Sequence, residues 1–559
     1  MSTLPDGHSE VKLQVIWNRL LAIVEEAAQT LMRTAFSSTV REAGDLCAGL
    51  FDAQGRMVAQ AVTGTPGHVN TMAEAMKHLL ARFPIQEMAE GDQYITNDPW
   101  LASGHLHDLT VAAPVFEDGR VVALFGCCCH QVDIGGLGQG PDGRSIYEEG
   151  LQIPPIKLVK AGHLNEDLVS IVCENVRTPL EVRGDILSYI TANESAARRL
   201  VAMLDEFDLQ DLGTVSDTII GRSRHVVETA IAELPKGSWR HAIVLDGYDK
   251  PIRLAAALTI GDAEITVNFD GTSEASPFGI NVVANYCLAY TAFALKCIIA
   301  PDIPNNAGSL QPFRIIAPTG SILNAQRPWP VSARHVVGLM LPDLIFGCLD
   351  QALPDRAPAE GASCNWTVQL RRGPDQAIAG APTFDTVFFN TGGSGARSRL
   401  DGLSATAFPS GVKAMPVEVV EYGAPIVVWR KELLADSGGA GRCRGGLGLK
   451  IEIGGRHPAP FSLLAMFERM EHAAQGRGGG RAGARGRVYL LSGQELRGKG
   501  LQSIPPNSRL ILETPGGGGY GEPRQRAPEQ LRQDISFELV SRQAAVVDYG
   551  WGGREGSAG

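Results

Sequence analysis

The chain has 559 residues, which is more than one hydrophobic core usually organises, so two or three domains are expected. Its 44% hydrophobic and 20% charged residues are typical of a globular protein. Lys and Arg total 50 against 61 Asp and Glu, and the formal net charge of -11 argues against nucleic acid or an anionic membrane as a partner. Small molecules and other proteins remain as expected partners.

The sequence also predicts the compartment. No basic stretch followed by an apolar run opens the chain, and no segment reaches the ~18 apolar residues that a membrane span needs. The 10 cysteines lie in apolar contexts such as "IVCENV" and "NYCLAY" and form no CxxC pair, which favours free thiols. We therefore expect a cytoplasmic protein.

The first third of the chain predicts one long helix and two hairpins. Apolar residues recur at helical spacing over residues 9–33. "LCAGLFDAQGRMVAQ" then reads as strand, turn and strand, with residues 52–55 in the turn. "TVAAPVFEDGRVVALFGCCCH" repeats this pattern around residues 117–119 and places His130 at the end of a strand.

Helical periodicity returns over residues 186–204 and 217–234, and an apolar helix is predicted over residues 284–299. Beyond "PKGSW" strands dominate, and Pro and Gly become frequent up to Pro523, so we place a domain boundary near Lys236. The expected fold class is α+β and multidomain. An N-terminal domain of helices and hairpins (1–235) holds the candidate site, a strand-rich domain with long Gly/Pro loops covers 236–527, and a helical segment (about 530–545) with a flexible tail covers 528–559.

Two glycine-rich stretches, "GRGGGRAGARGR" and "TPGGGGYGEP", invite comparison with phosphate-binding loops. Neither has the Lys-Ser/Thr of a P-loop or the strand-GxGxxG-helix order. We interpret both as flexible surface loops, placed at a subunit contact, and expect no nucleotide on this chain.

The stretch "GHLHDL" and the later "CCCHQVD" supply two imidazoles and a carboxylate in His105, Asp108 and His130. This set suits zinc, manganese or iron with open positions for water or substrate, and Asp45 and His68 are further candidates. The competing interpretation is a hydrogen-bonded polar turn without metal, and spacing alone does not decide between the two.

Neighbouring residues have weaker signals. His107 points away from His105 if the segment is extended, so we leave it out of the ligand set and keep it as a substrate contact. Strand alternation places Cys128 on the same face as His130, although a small buried hydrophobic residue is the simpler interpretation. Glu148 and Glu149 lie in an acidic turn, where a glutamate can serve as a general base.

Many ordered blocks, among them "REAGDLCAGLFDAQGRMVAQ", "GDQYITNDPWLASGHLHDLTVAAPVF", "HQVDIGG", "SIYEEGLQIPPIKL", "IPNNAGSLQPFRIIAPTGSILNA" and "GGSGARSRLDG", resemble the hydantoinase B/oxoprolinase family from about residue 12 to 550. The resemblance implies a subunit that pairs with an ATP-binding hydantoinase A-like partner in a hetero-oligomer. Such complexes hydrolyse cyclic amides such as hydantoins, 5-oxoproline or lactams, and related ones carboxylate ketones.

In that family the partner phosphorylates the substrate oxygen, and the present type of chain completes the reaction at a divalent metal. The resemblance carries the metal ligands onto Asp45, His105, Asp108 and His130. Zinc is the first expectation, with manganese or iron as alternatives. Proton transfer falls to His107, Asp133 or Glu148, and the sequence does not choose among them.

Three departures from the family pattern surround the site. His107 stands where a proline is expected, a cysteine run precedes His130, and "DLCAG" stands where "DFSCA" is usual. Our first interpretation is the metal-bearing subunit of an ATP-dependent cyclic amide hydrolase. The alternatives are a subunit of an ATP-dependent ketone carboxylase and a metal-free scaffold for the ATP-binding subunit.

Overall fold

A computed structural model of the protein describes residues 10–378 and 380–552. The chain divides into two compact units. Unit 1 consists of Met1–Ser238, Ala257–Arg334 and Gly411–Lys413, and unit 2 consists of Trp239–Ala256, His335–Ser410 and Ala414–Gly559. Helices and several sheets are present, so the predicted mixed α and β architecture is confirmed.

The described part of the chain contains the following α-helices: α1 (Glu10–Thr34), α2 (Ser38–Arg41), α3 (Pro66–Arg82), α4 (Glu166–Glu174), α5 (Pro179–Phe207), α6 (Gly213–Ala232), α7 (Ala284–Ile299), α8 (Ala307–Leu310), α9 (His335–Gly338), α10 (Leu341–Ala352), α11 (Val417–Gly423), α12 (Pro528–Ser536) and α13 (Arg542–Tyr549). Short 3-10 helices lie at Ile85–Glu87, Ile146–Glu148, Pro374–Gln376 and Pro523–Gln525.

The strands are β1 (Leu46–Asp52), β2 (Met57–Gln60), β3 (Gln93–Thr96), β4 (Asp108–Glu117), β5 (Arg120–His130), β6 (Ile156–Lys160), β7 (His163–Leu164), β8 (Gly237–Leu245), β9 (Ile252–Ile260), β10 (Ile265–Asn268), β11 (Phe313–Ile316), β12 (Asn365–Arg372), β13 (Phe384–Thr391), β14 (Ile426–Leu433), β15 (Leu449–Gly455), β16 (Phe461–Met466), β17 (Arg487–Leu490), β18 (Lys499–Ile504) and β19 (Arg509–Glu513). They form sheets with the orders β2-β1-β5-β4-β3-β6-β7, β11-β10-β9-β8, β13-β12-β16-β18 and β14-β15-β19-β17.

The seven-stranded sheet of unit 1 is antiparallel throughout and positions the candidate site. Strands β4 and β5 form a long hairpin at its centre, as predicted, and β1 and β2 form the other predicted hairpin. Helix α3 packs its methionines and leucine on the face that carries Cys128. On the opposite face Cys127 donates to Asn193 of α5, at 3.2 Å.

The predicted first helix is confirmed as α1, whose buried residues are Leu13, Ile16, Leu20, Ile23, Val24, Ala27, Ala28 and Leu31. Ser9, its predicted first residue, lies outside the described residues. The helices predicted over residues 186–204, 217–234 and 284–299 correspond to α5, α6 and α7. All 10 cysteines are free, as expected.

Helix α3 was not predicted from the periodicity, yet it places a site residue. Pro66 occupies its first turn, where a missing N–H leaves no intrahelical bond unmade. Thr65 caps the helix, and its side chain accepts from the His68 backbone N–H at 3.4 Å. His68 is thereby held in the first turn of a rigid element.

The interpretation of the glycine-rich stretches as flexible surface loops is wrong for the second stretch. Residues 514–521 are buried in unit 2, and their backbone bonds to other backbone segments, as in Gly518 N–H to Glu360 O at 2.8 Å and Gly519 N–H to Arg481 O at 2.9 Å. A Cβ at Gly517 would lie 2.0 Å from the carbonyl oxygen of Ser394. Glycine is required here for close approach of backbones, not for mobility.

The C-terminal segment also differs from its prediction. Two helices, α12 and α13, replace the single helical segment about residues 530–545, because Glu538 between them has φ of +57°, outside the right-handed helical region. Residues 553–559 of the predicted flexible tail lie outside the described residues. Within the described chain, none of the helices combines the length and apolar character needed to cross a membrane.

Candidate metal centre

The register of the central hairpin brings two candidate ligands together. Asp108 is the first residue of β4, His130 is the last residue of β5, and the two are direct cross-strand partners. His105 precedes Asp108 by three positions and lies in the bend that leads into β4. A nitrogen of His105, an oxygen of Asp108 and a nitrogen of His130 lie within 4.8 Å of one another, and all three side chains are buried.

The Asp108 carboxylate is the centre of this cluster. Its Oδ1 lies 2.8 Å from His105 Nε2 and 3.0 Å from His130 Nδ1. Its Oδ2 lies 2.9 Å from His68 Nε2 and 2.6 Å from Arg334 Nη2. Burial alone would raise the pKa of Asp108, but the charges of His68 and Arg334 hold that pKa well below its usual range. Asp108 is therefore a permanently ionised carboxylate.

The proton on His105 can be assigned from its contacts. Nδ1 lies 2.9 Å from the carbonyl oxygen of Ser332, which only accepts, so Nδ1 carries the hydrogen. Burial, followed by the charge of Arg334, lowers the pKa of His105 to about 3, so the ring is neutral and Nε2 presents a lone pair. That lone pair faces the Asp108 oxygen, and Nε2 has no hydrogen-bond partner.

Two electron-pair donors that face each other at 2.8 Å repel unless a cation or a proton lies between them. A divalent metal ion would accept both lone pairs, together with that of His130. The buried His105 nitrogen without a hydrogen-bond partner is therefore evidence that these residues can hold a metal ion.

Asp45 reaches the cluster through His68. Asp45 Oδ1 lies 3.7 Å from His68 Nδ1, and the Asp45 backbone carbonyl accepts from His130 N–H at 3.0 Å. Burial would lower the pKa of His68, but the charge of Asp108, with smaller effects of Cys128 and Asp45, raises it to about 10. Asp45, predicted as the fourth ligand, is thus adjacent to the three convergent residues.

His107 lies inside the cluster, contrary to the expectation for an extended segment. Residues 99–107 form turns and bends, so the alternation that would turn His107 away does not apply. Its ring centroid lies 5.5 Å from that of His105, and it stacks on His130 at 5.4 Å. Both ring nitrogens are buried without a hydrogen-bond partner, and burial holds the pKa of His107 well below its usual range.

The other two predicted catalytic residues make contacts of their own. Asp133 is buried and accepts from Gly135 N–H at 3.0 Å and from the Arg177 guanidinium at 2.8 Å. Glu148 is exposed and accepts from Arg144 N–H at 3.0 Å. Asp133 thus contacts Gly135 and Arg177, and Glu148 contacts Arg144, rather than the histidines.

Sequence reasoning missed Glu149 as the buried member of the acidic pair. Glu149 accepts from the backbone N–H groups of Val331 at 3.0 Å and Ser332 at 2.8 Å. Burial raises its pKa to about 8. Because the Ser332 carbonyl accepts from His105 Nδ1, Glu149 holds the segment that orients a candidate ligand. Its place beside Glu148 in "SIYEEG" was the available signal.

Arg334 was also missed, because no local pattern links it to Asp108. It donates through Nε to the Ser103 carbonyl at 2.7 Å and lies over the Tyr286 ring at 4.0 Å. Gly104 has φ of +93°, and a Cβ there would lie 2.9 Å from Arg334 Cδ. Glycine at 104 therefore makes room for the guanidinium beside the carboxylate.

Comparison with known proteins gives a consistent picture. The hydantoinase B/oxoprolinase family model matches residues 9–523. The chain is 29% identical over 553 residues to an uncharacterised protein of Methanocaldococcus jannaschii, covering 97% of this chain and 95% of the relative. It is 28% identical over 576 residues to caprolactamase subunit beta of Pseudomonas jessenii, with 97% and 95% covered.

A third relative is longer. The chain is 27% identical over 545 residues to 5-oxoprolinase 1 of Arabidopsis thaliana, covering 91% of this chain but 42% of that protein. The crystal structure of ATP-dependent caprolactamase from Pseudomonas jessenii superposes with a TM-score of 0.88 at 26% identity, covering 98% of this chain and 96% of that one. A nucleotide-free acetone carboxylase structure shares the fold, with a TM-score of 0.85 at 20% identity over 98% of this chain and 80% of that one.

Proposed function

The chain belongs to the hydantoinase B/oxoprolinase family, and from this membership we propose that it is the metal-bearing subunit of an ATP-dependent cyclic amide hydrolase. The observation that carries the proposal is the orphaned His105 Nε2 facing the ionised Asp108 beside His130. A scaffold without metal chemistry has no need of convergent, buried ligand atoms. The geometry therefore supports an enzyme centre over the scaffold alternative.

In this proposal His105, Asp108 and His130 hold the metal, and Asp45 completes the set as the family resemblance implies. Zinc is the first expectation, since two imidazoles and carboxylates suit it, with manganese or iron as alternatives. When bound, such an ion lowers the pKa of a coordinated water and so supplies a nucleophile near neutral pH.

The chain's own residues prepare the site. The Ser332 carbonyl fixes the His105 ring in one tautomer, and Arg334 fixes the second oxygen of Asp108. His107 offers two unpartnered nitrogens beside both histidines, which suits it to contact the substrate and move a proton. Of the three predicted proton-transfer residues, His107 has the best support, since Asp133 is paired with Arg177 and Glu148 is exposed.

The chemistry balances when it is shared between two subunits. A hydantoinase A-like partner transfers phosphate from ATP to the ring carbonyl oxygen. On the present chain, water adds to the activated carbon, the ring nitrogen takes a proton as the C–N bond breaks, and the acyl phosphate that results is hydrolysed to carboxylate and inorganic phosphate. His107 is a neutral base because burial lowers its pKa, and it would take the proton that the adding water loses and pass it to the ring nitrogen.

The partner is proposed from the relatives and from the motifs. The chain spans nearly all of a relative named as subunit beta and less than half of the 5-oxoprolinase, which leaves length in the longer protein for a second component. The sequence lacks a P-loop, so the nucleotide belongs to the other chain. A hetero-oligomer follows.

A ketone carboxylase subunit is the second candidate, and the fold shared with acetone carboxylase favours it. The chain covers 96% of the caprolactamase chain but 80% of the acetone carboxylase chain, which supports our choice of the hydrolase as first candidate. A bicarbonate requirement discriminates between the two.

The test is metal content by elemental analysis of the purified chain, for wild type, His105→Ala and His130→Ala, with the exposed His163→Ala as control. A metal content that is lower in both site variants than in wild type and His163→Ala supports the centre. Each protein is then assayed with ATP and the partner subunit on hydantoins, 5-oxoproline and lactams, with and without bicarbonate. Full turnover by a metal-free wild type would overturn the proposal.

A further inference from the structure

A second set of ligand-type side chains meets Asp108 through its other oxygen. His68 Nε2 lies 2.9 Å from Asp108 Oδ2, whereas His105 and His130 face Oδ1. A nitrogen of His68, an oxygen of Asp108 and the sulfur of Cys128 lie within 4.8 Å of one another. All three residues are buried, and His68 Nδ1 has no hydrogen-bond partner.

Rigid elements hold this group. His68 is in the capped first turn of α3, Asp108 begins β4, and Cys128 lies on β5 with Thr110 and Cys47 as its register partners. Helix α3 packs directly against the face that carries Cys128. The ligand atoms lie within 4.8 Å of one another, so binding at the ~3.5 Å separations of a tetrahedral zinc site would need only small side-chain rotations.

We propose that His68, Asp108 and Cys128 bind a second divalent cation, so that the Asp108 carboxylate bridges two metal positions. The nitrogen, oxygen and thiolate donor set selects a borderline-soft ion such as zinc and disfavours magnesium or calcium. The proposal rests on the proposed function in one respect, because Asp108 is shared with the centre formed by His105 and His130.

The positive charge of Arg334 disfavours a second cation beside Asp108, and negative groups in the cluster can offset it. Arg334 donates to Asp108 Oδ2 at 2.6 Å, and its charge opposes a cation nearby. On binding, the Cys128 thiol releases its proton to solvent and becomes a coordinated thiolate. That thiolate and the Asp45 carboxylate, 3.7 Å from His68 Nδ1, supply the compensating negative charge.

The competing explanation is structural. A protonated His68 and Arg334 would then simply neutralise Asp108, and Cys128 would be a small buried hydrophobic residue. Under that explanation the cysteine can be replaced by serine without any change in bound metal.

The experiment compares the full-length wild type with Cys128→Ser and with Cys127→Ser, a neighbouring buried cysteine that points to Asn193 on the other face. Each metal-free protein is reconstituted with Zn²⁺, or with Co²⁺ as a spectroscopic probe, and its metal is counted after desalting. We expect about two ions per chain for wild type and Cys127→Ser and about one for Cys128→Ser. We also expect a thiolate-to-cobalt charge-transfer band in the first two proteins only.

Wild-type protein that binds a single ion and has no charge-transfer band overturns the second site without reference to any variant, so a folding defect cannot obscure the result. A band that survives Cys128→Ser also overturns it. The failure of the proposed function has a different signature: His105→Ala and His130→Ala leave the ion count unchanged, whereas the band still depends on Cys128.

Discussion

Each unit of the molecule buries a charged cluster, and the two clusters differ in how their polar atoms are satisfied. In unit 2, Lys499 Nζ lies 2.7 Å from Glu468 Oε1 and donates to the Phe467 carbonyl at 2.7 Å. The other Glu468 oxygen accepts from Asp246 N–H at 3.0 Å. In unit 1, by contrast, nitrogens of His68, His105 and His107 remain buried without hydrogen-bond partners.

Whether the buried polar atoms have protein partners distinguishes a charged cluster that stabilises the fold from one that can bind a ligand. The Lys499–Glu468 pair is closed, since protein atoms meet the polar groups, and it stabilises the fold once formed. We call the histidine cluster open, because its unpartnered nitrogens have lost their hydrogen bonds to water and gained none from the protein. Open clusters indicate a ligand, and this is why we place function in unit 1.

The largest expected effect is on the closed pair. Lys499→Met leaves Glu468 buried without its cation, and the free energy of unfolding falls by about 3–5 kcal/mol. Denaturant unfolding monitored by fluorescence measures the change. The control is Arg19→Ala, which removes an exposed ion pair with Glu206 and costs at most about 1 kcal/mol. Equal losses in both variants would contradict the assignment of Lys499 as a buried structural partner.

The open cluster responds to metal instead. Zinc that binds only folded protein raises the free energy of unfolding by about 2.7 kcal/mol at a hundredfold excess over Kd. We expect this increase in wild type and in His163→Ala, and a smaller increase in His105→Ala, by thermal unfolding with and without zinc. An equal increase in His105→Ala would locate the zinc elsewhere.

Glu149 belongs to both cases. Its own oxygens have hydrogen-bond partners, as in the closed pair, but the Ser332 segment that it holds orients His105 of the open cluster. Glu149→Gln places an amide –NH₂ against a backbone N–H donor, so we expect a loss of about 1–3 kcal/mol and a 10–100-fold weaker metal affinity. Unfolding curves and metal competition titrations measure the two effects. Unchanged metal affinity would mean that the Ser332 segment does not depend on Glu149.

The same variant tests a pH dependence. Burial raises the pKa of Glu149 to about 8, so the folded protein retains a proton that the unfolded chain releases near the ordinary pKa of 4.5. Glu149 therefore lowers stability progressively as pH rises between those two values, by at most about 1.4 kcal/mol per pH unit. The difference in unfolding free energy between wild type and Glu149→Gln isolates this slope, and a difference independent of pH would contradict it.

The smallest expected effect on stability concerns His107. Because neither ring nitrogen has a partner, His107→Leu removes no hydrogen bond, and the free energy of unfolding changes by less than about 1 kcal/mol. Activity of the reconstituted complex falls by a factor of about 10²–10⁴, as for loss of a proton-transfer group. Large destabilisation with normal activity per folded molecule would reverse the assignment.

Local patterns in the sequence predicted many of the helices and hairpins. The 3.6-residue spacing of Leu13, Ile16 and Leu20 identified α1, and the turn at residues 117–119 identified the β4–β5 hairpin and so placed His130 at a strand end. The family blocks then pointed to the same residues that the hairpin brings together. These signals lie within one element or one hairpin, where short-range geometry decides the outcome.

The features that were missed depend on contacts distant in sequence. Arg334 reaches Asp108 across 226 residues, and Glu149 holds Ser332 across 183. Helical periodicity and strand alternation carry no information about such pairs. His107 was misplaced because alternation was applied to a turn, and the glycines at 514–521 because their close packing requires a second segment that only the fold supplies.

The pairing of Asp108 with His130 makes the geometry of the candidate metal centre depend on the number of residues in the distant β4–β5 turn. A one-residue insertion or deletion near Asp118 that slides one strand past the other would turn every side chain of the shifted strand to the opposite face. Evolution can therefore change the residue types at that exposed turn freely, but it can change the number of residues only in steps that preserve alternation. The distant turn thus affects the candidate site through the strand register that its length sets, without contacting the site.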